Sequence, residues 1–338
     1  MPHTLTKFPA FYRKRRGIAA LKILAAFTVV LSGSAVGSAA PYPARPIQII
    51  TQAATGSGPD VVGRIVAEQL SRLWRQPVVI VNRPGADGII AAQAAVDATP
   101  DGYTLYLPNG STFFSLPATH DQLPFDLQRD LAPIGMVGVL PMVIAVSRTL
   151  GVSNLAGLLA YAKARKGDLF YAGGLRGGLP DLVGAMLNTR LGTNLTYVHY
   201  VGTAKALPDV IAGRIPVVVD GIAALSSAMA DDSIVPLAVA SANRLPDYPD
   251  LASVAETIPD FEAVGWFPLM APAGLAADIQ TKLNNDLNTV LGQPELQSRL
   301  AKLGTYVRQM SPPELAAFIR AQQELWEPIA RHADSDAR

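Results

Sequence analysis

The chain has 338 residues, 49% hydrophobic and 16% charged, enough apolar content for one large or two medium cores and too little charge for a disordered segment. Its formal net charge is +1, but residues 1–40 hold six basic residues and no acidic one, and the remainder carries 22 basic against 27 acidic residues, a net of −5, which argues against nucleic acid as a partner. The lack of cysteine excludes disulfides, thiol catalysis, cysteine-based zinc sites and lipoprotein anchoring together.

The first forty residues read as an export signal. Arg13-Lys14-Arg15-Arg16 forms a charged n-region, residues 23–31 an apolar run, and Ser38-Ala39-Ala40 the small residues a signal peptidase requires. The run falls short of the ~18–20 residues of a spanning helix. The expectation is cleavage after Ala40 and a mature chain outside the cytoplasm, with Sec and twin-arginine export both open.

Residues 47–51 are apolar and β-branched, a short buried strand. Ala54-Thr55-Gly56-Ser57-Gly58-Pro59-Asp60 is a glycine-bearing turn with Pro59 placed for a first helical turn. Val62, Ile65, Val66, Leu70 and Leu73 then recur at helical spacing. A strand feeding a helix through glycines leaves backbone N–H groups facing out of the turn, where an anion is favoured. Residues 78–81 form a second strand, 89–96 a helix, and 103–107 a third strand followed by Asn109-Gly110-Ser111-Thr112. Strands alternating with helices, with Gly or Ser loops after the strands, predict βαβ units and a parallel sheet. Ligands of such sheets bind beyond the carboxyl ends of the strands.

The apolar run 133–146, broken by Gly135, Gly138 and Pro141, is too long for one ordinary strand. It reads as a strand passing from a first domain into a second. The same grammar then repeats. A helix at 155–164 precedes a strand at 169–172 with the loop Gly173-Gly174-Leu175-Arg176-Gly177-Gly178, and a helix at 182–191 follows. A strand at 196–200 ends in His199-Tyr200, and Gly202-Thr203-Ala204 opens the next helix. A strand at 215–219 ends at Asp220, and another follows at 237–240. Residues 264–271 read as a second crossing strand with Trp266 in the core or over the cleft, the core being the commoner place, and helices at 279–291, 295–303 and 313–330 are expected to cover the first domain.

Short pieces stand in a fixed order along the chain: Arg45-Pro46-Ile47, the Gly56 to Asp60 loop, Gln76-Pro77-Val78-Val79 with Asn82-Arg83-Pro84-Gly85, and Pro100-Asp101-Gly102-Tyr103. Leu123-Pro124-Phe125-Asp126, Asp130-Leu131-Ala132-Pro133 and Ala271-Pro272-Ala273-Gly274 continue the series. In this order and spacing they resemble the Bug receptors, the periplasmic substrate-binding proteins of tripartite tricarboxylate transporters. The resemblance implies an α/β, type II periplasmic binding protein: two α/β lobes joined by two crossing segments, with a ligand cleft between them. The lobes would be 41–141 with 265–338, and 142–264. It further implies a hinge, a bound carboxylate held largely by backbone N–H groups and hydroxyls, and a pair of integral membrane transporter subunits as partners to a monomeric receptor.

The candidate ligand-binding residues are Thr55, Gly56, Ser57, Gly58 and Asp60 in one jaw, and Ser111 and Thr112 after the third strand. The second jaw is Gly173, Gly174 and Arg176, then His199, Tyr200, Gly202, Thr203 and Ala204, with Asp220 at the same edge. Arg176 suits a forked bond to a carboxylate. Asp220, an acid beside an anion site, suits a helix cap or a ligand hydroxyl or ammonium. No catalytic elbow, metal motif or paired carboxylates stand out, so neither enzyme chemistry nor a cofactor is expected. The expected role is a periplasmic receptor that delivers a small organic carboxylate to a transporter; the alternative is a solute sensor that passes its ligand-bound form to a signalling protein.

Overall fold

A computed structural model describes residues 42–165, 169–173, 178–200 and 202–335, with side chains to residue 332. The expected signal segment, and Gly174 and Arg176, lie outside the described residues. In chain order the elements are β1 (Ile47–Thr51), α1 (Gly58–Trp74), β2 (Val78–Asn82), α2 (Ile89–Val96), β3 (Thr104–Tyr106), α3 (Thr112–Thr119), α4 (Leu127–Asp130), β4 (Leu131–Ser147), α5 (Leu155–Ala164) and β5 (Leu169–Gly173). There follow α6 (Leu179–Leu191), β6 (Leu195–His199), α7 (Thr203–Ile211), β7 (Val217–Gly221), α8 (Ile222–Ala230), β8 (Ile234–Val239), β9 (Val264–Pro272), α9 (Ala277–Leu291), α10 (Pro294–Ala301) and α11 (Pro312–Ser335).

The strands join in one sheet whose two halves share a single order. The first half runs β2-β1-β3-β9-β4 and the second β6-β5-β7-β4-β8. In each, the second, first and third strands are parallel, and a crossing strand separates the third from the last. The long strand β4 belongs to both halves: from Leu131 to Pro141 it pairs with β9, and from Met142 to Ser147 it pairs with β7 and β8. The change of partner falls between Pro141 and Met142. The amino-acid sequence shows no repeat of fixed period, because connection rules rather than residue identities set this order.

Side-chain alternation puts helices on both faces. Ile144 and Val146 of β4 join a core with α5 and α6, while Val143 and Ala145 join one with α7 and α8. In the first half, Ile47 and Ile49 face α1, α9 and α10, and Ile50 faces the opposite layer with Trp266 and part of α11.

Three local outcomes differ from the periodicity reading. Leu73 is exposed, because the last turn of α1 runs past the core; Trp74 turns inward and donates its indole N–H to Asp286 at 2.6 Å. Thr112, read in the stretch after the third strand, opens helix α3, which runs to Thr119 with Pro117 inside it. Helix α11 covers more than the first half: Leu315 and Ile319 lie in the core around Trp266, while Trp326 and Ala330 are buried with Tyr171 and Leu182 of the second. There Trp326 stacks on Phe114 of α3, with centroids 6.1 Å apart.

Candidate functional site

Strand registers fix where the sequence-predicted jaw residues lie. In the first half, β3 and β4 both run antiparallel to β9, so the chain leaving β3 heads the same way as β4. Gly110, just beyond β3, donates its N–H to the Trp266 carbonyl at 2.7 Å, and Trp266 pairs with Val139. In the second half, β7 runs against β4, and its last residue Gly221 pairs with Met142. The carboxyl edges of the two halves therefore approach each other along β4, from Val139 on one side and Met142 on the other. Two residues of strand lie between them, a step of three positions, about 10 Å at ~3.3 Å per residue.

The first jaw is the β1–α1 loop. Gly56 has φ +81°, a conformation that favours glycine. Asp60, in the first turn of α1, is 1% exposed and folds its carboxylate back under the loop. It accepts from the Gly56 N–H and the Asn82 amide at 2.8 Å each, and from Arg64 at 2.9 Å. Burial pushes this carboxyl up, but bonds from Arg64, Asn82 and Gly56 outweigh it and hold the pKa below its ordinary value. Asp60 is thus a brace inside the jaw, its carboxylate oxygens committed to the loop. Ser57 stands at the N-cap without capping the helix; its Oγ is buried and has no partner among the described residues. Thr55, Gly56 and Gly58 are exposed above it.

The β3–α3 turn closes against this loop. The Gln52 side chain meets the Thr112 hydroxyl at 2.9 Å and accepts the Tyr106 hydroxyl at 3.0 Å. Thr112 is consequently buried and bonded inward, whereas Ser111 is half-buried at the N-cap of α3 and offers no side-chain cap. Neither Gln52 nor Tyr106 is marked out by local sequence pattern; Gln52 reaches across 60 positions to Thr112. Gly110 lies flush on the indole of Trp266, which a Cβ there would meet at 2.0 Å.

The second jaw is built from the ends of β5, β6 and β7. Gly173 pairs with His199, and a Cβ on it would lie 2.7 Å from Pro180 and 3.0 Å from the Val219 carbonyl. The close passage of α6 over the strand end requires glycine. His199 is exposed, as are Gly202 and Ala204. The Tyr200 hydroxyl bonds Asp209 on α7, which also pairs with Arg214. Thr203 is buried and donates its hydroxyl to Asp220, whose other oxygen accepts from the Gly221 N–H at 2.6 Å. Desolvation pushes the Asp220 carboxyl up, partly offset by those two bonds.

Helices α1, α3, α6, α7 and α8 all start at these edges, and none has a side-chain cap; their N-cap residues are Ser57, Ser111, Gly178, Gly202 and Gly221. Elsewhere Asp126 and Asn154 cap α4 and α5, while α9 and α10 also start without a side-chain cap. Helix starts without caps offer N–H donors and the positive end of a dipole to a small anion. No group of three or more metal-ligating side chains occurs among the described residues.

Comparisons with known proteins bear on the family of the whole chain. Residues 62–334 match the model of the tripartite tricarboxylate transporter family receptor. A UPF0065 protein of Bordetella bronchiseptica is 34% identical over 96% of this chain and 98% of its own length. Protein BugT of Bordetella pertussis is 30% identical over 92% and 96%. Among solved structures, an R. palustris protein with adipate superposes with a TM-score of 0.75 at 29% identity, covering 87% of this chain and 98% of that one. MatC from Rhodopseudomonas palustris with bound malate gives 0.71 at 26% identity, covering 86% and 100%.

Proposed function

From the premise that the chain belongs to the tripartite tricarboxylate transporter receptor family, whose members are solute-binding receptors rather than enzymes, we propose that it captures a small organic carboxylate in the periplasm and delivers it to an integral membrane transporter. Two lobes, 41–141 with 265–338 and 142–264, with the end of α11 packed on the second, close on the anion about the crossing strands β4 and β9. Each lobe holds half of the contacts, so the ligand is fully satisfied only in the closed form and biases the equilibrium toward it. The bound acids in the related structures support a carboxylate as the ligand class.

The observation that supports this reading is that the uncapped start of α1 in the first half, and the Thr203–Asp220 pair at the start of α7 in the second, both stand at strand ends joined through β4. Thermal-shift screening of the mature chain against a panel of small carboxylates tests it. A ligand at about 100 times its Kd adds roughly 2.7 kcal/mol of stability, a shift of several degrees. A panel spanning dicarboxylates, hydroxy acids, amino acids and aromatic acids that moves the midpoint nowhere would refute the proposal.

A further inference from the structure

We infer that the cleft is chemically polarised: its first half takes the ligand's carboxylate, and Asp220 in its second half takes a hydrogen-bond donor, so the preferred ligand is a carboxylic acid that also carries a hydroxyl or an ammonium. The inference rests on the receptor reading and sharpens it.

Asp220 pairs with Val143, one residue beyond Met142, so it stands at the crossing itself. Strand alternation places its side chain on the face of Val218, toward α7 and α8. Its carboxylate lies between the starts of these helices, bonded to the Thr203 hydroxyl and the Gly221 N–H. No Lys, Arg or His forms an ion pair with it among the described residues. The positive end of α7 and α8 is therefore already occupied by an anion belonging to the chain. A second carboxylate arriving there would meet a resident like charge in a half-buried setting, which costs affinity. An O–H or N–H⁺ would instead find a lone pair that is already positioned.

The first half differs. Its buried acid, Asp60, is turned away under the loop and paired with Arg64, and Asp87 is exposed in the β2–α2 turn, beside Gly88, which lies against Gln52. At this edge stand the start of α1, with the buried, unpartnered Ser57 hydroxyl, and the start of α3. Neither of these helix starts has a carboxylate bonded to its N–H groups, as Asp220 is to Gly221 at α8.

Succinate, malate and aspartate test this, since they share two carboxylates and differ by nothing, a hydroxyl or an ammonium on one carbon. Calorimetric Kd values are compared at one pH and salt for the unaltered chain and for Asp220→Asn, which keeps the shape and an acceptor for Thr203. The expected result is malate and aspartate binding at least about tenfold tighter than succinate, about 1.4 kcal/mol. In Asp220→Asn the gap narrows to about threefold or less, with succinate binding gained and aspartate binding lost. Succinate binding as tightly as the other two in the unaltered chain overturns the inference, whether or not the variant folds. So does an unchanged ratio in a variant with an unaltered melting midpoint. If the chain binds only an acid of another shape, that acid and its 2-hydroxy derivative replace the trio under the same criterion; if it binds no acid at all, the receptor reading itself fails.

Discussion

Replacing Asp60 by alanine should destabilise the protein and loosen its first jaw together. The carboxylate is almost wholly buried and receives bonds from Gly56, Asn82 and Arg64. Hydrogen bonds to a charged group contribute about 1.5–3 kcal/mol each, with a further cost when a buried partner is left unsatisfied. The three do not count equally. Arg64 is 45% exposed and rehydrates, so its share is roughly 0–1 kcal/mol. Asn82 keeps its bond to the Ala53 carbonyl, and the Gly56 N–H can reach water in an exposed loop. The net loss is then about 2–4 kcal/mol. Because the folded pKa is depressed, this stability is present above the unfolded value, near 3.8, and is lost as pH falls through the folded one. Urea unfolding of both chains at pH 7 and below about pH 4 measures it: the difference is large at pH 7 and shrinks in acid. A difference below about 1 kcal/mol at pH 7, or one that grows in acid, refutes the bracing role. Ligand affinity should fall with it, since residues 53–57 are no longer tied to α1.

Other perturbations follow from the same geometry. Gly110→Ala drives a Cβ into the Trp266 ring, so it should cost about 1–3 kcal/mol or more by overpacking and alter tryptophan fluorescence; an unchanged spectrum and midpoint would contradict the contact. Gln52→Ala leaves the Tyr106 and Thr112 hydroxyls without their shared partner and should lower stability by about 1–3 kcal/mol and weaken carboxylate binding, both read in one calorimetric series. Expressed with its first forty residues in a bacterium, the chain should be recovered from the periplasm with Pro41 as its first residue, which intact-mass spectrometry decides; a retained Met1 would refute cleavage after Ala40.

The amino-acid sequence displays most of the strands and the turns after them, because β-branched runs bounded by glycine and proline are local signals. The crossing at Pro141 is legible for a related reason: the run is longer than one strand needs. Helix α8 is not, since Ile222 to Ala230 is rich in alanine and serine and carries no clear stripe. Helix α11 shows an apolar stripe, but a stripe says only that a partner exists, and nothing local reveals that Trp326 reaches the second half. The candidate site divides in the same way. Glycines and hydroxyls mark the strand ends proposed as jaws, yet the chemistry there depends on long-range pairing. Thr112 is bonded inward because Gln52 sits opposite, and Tyr200 is drawn to Asp209. The Asp60–Arg64 pair does have a local signal, acid and base one helical turn apart, which identifies a brace rather than a ligand contact.

A crystal structure of the mature chain with the acid that gives the largest thermal shift tests the central claim most directly. The account predicts the acid lying at the β4 and β9 crossing, touching residues 55–58 or 111 on one side and 202–204 or 220 on the other. An acid bound elsewhere, or contacting one half alone, would contradict it.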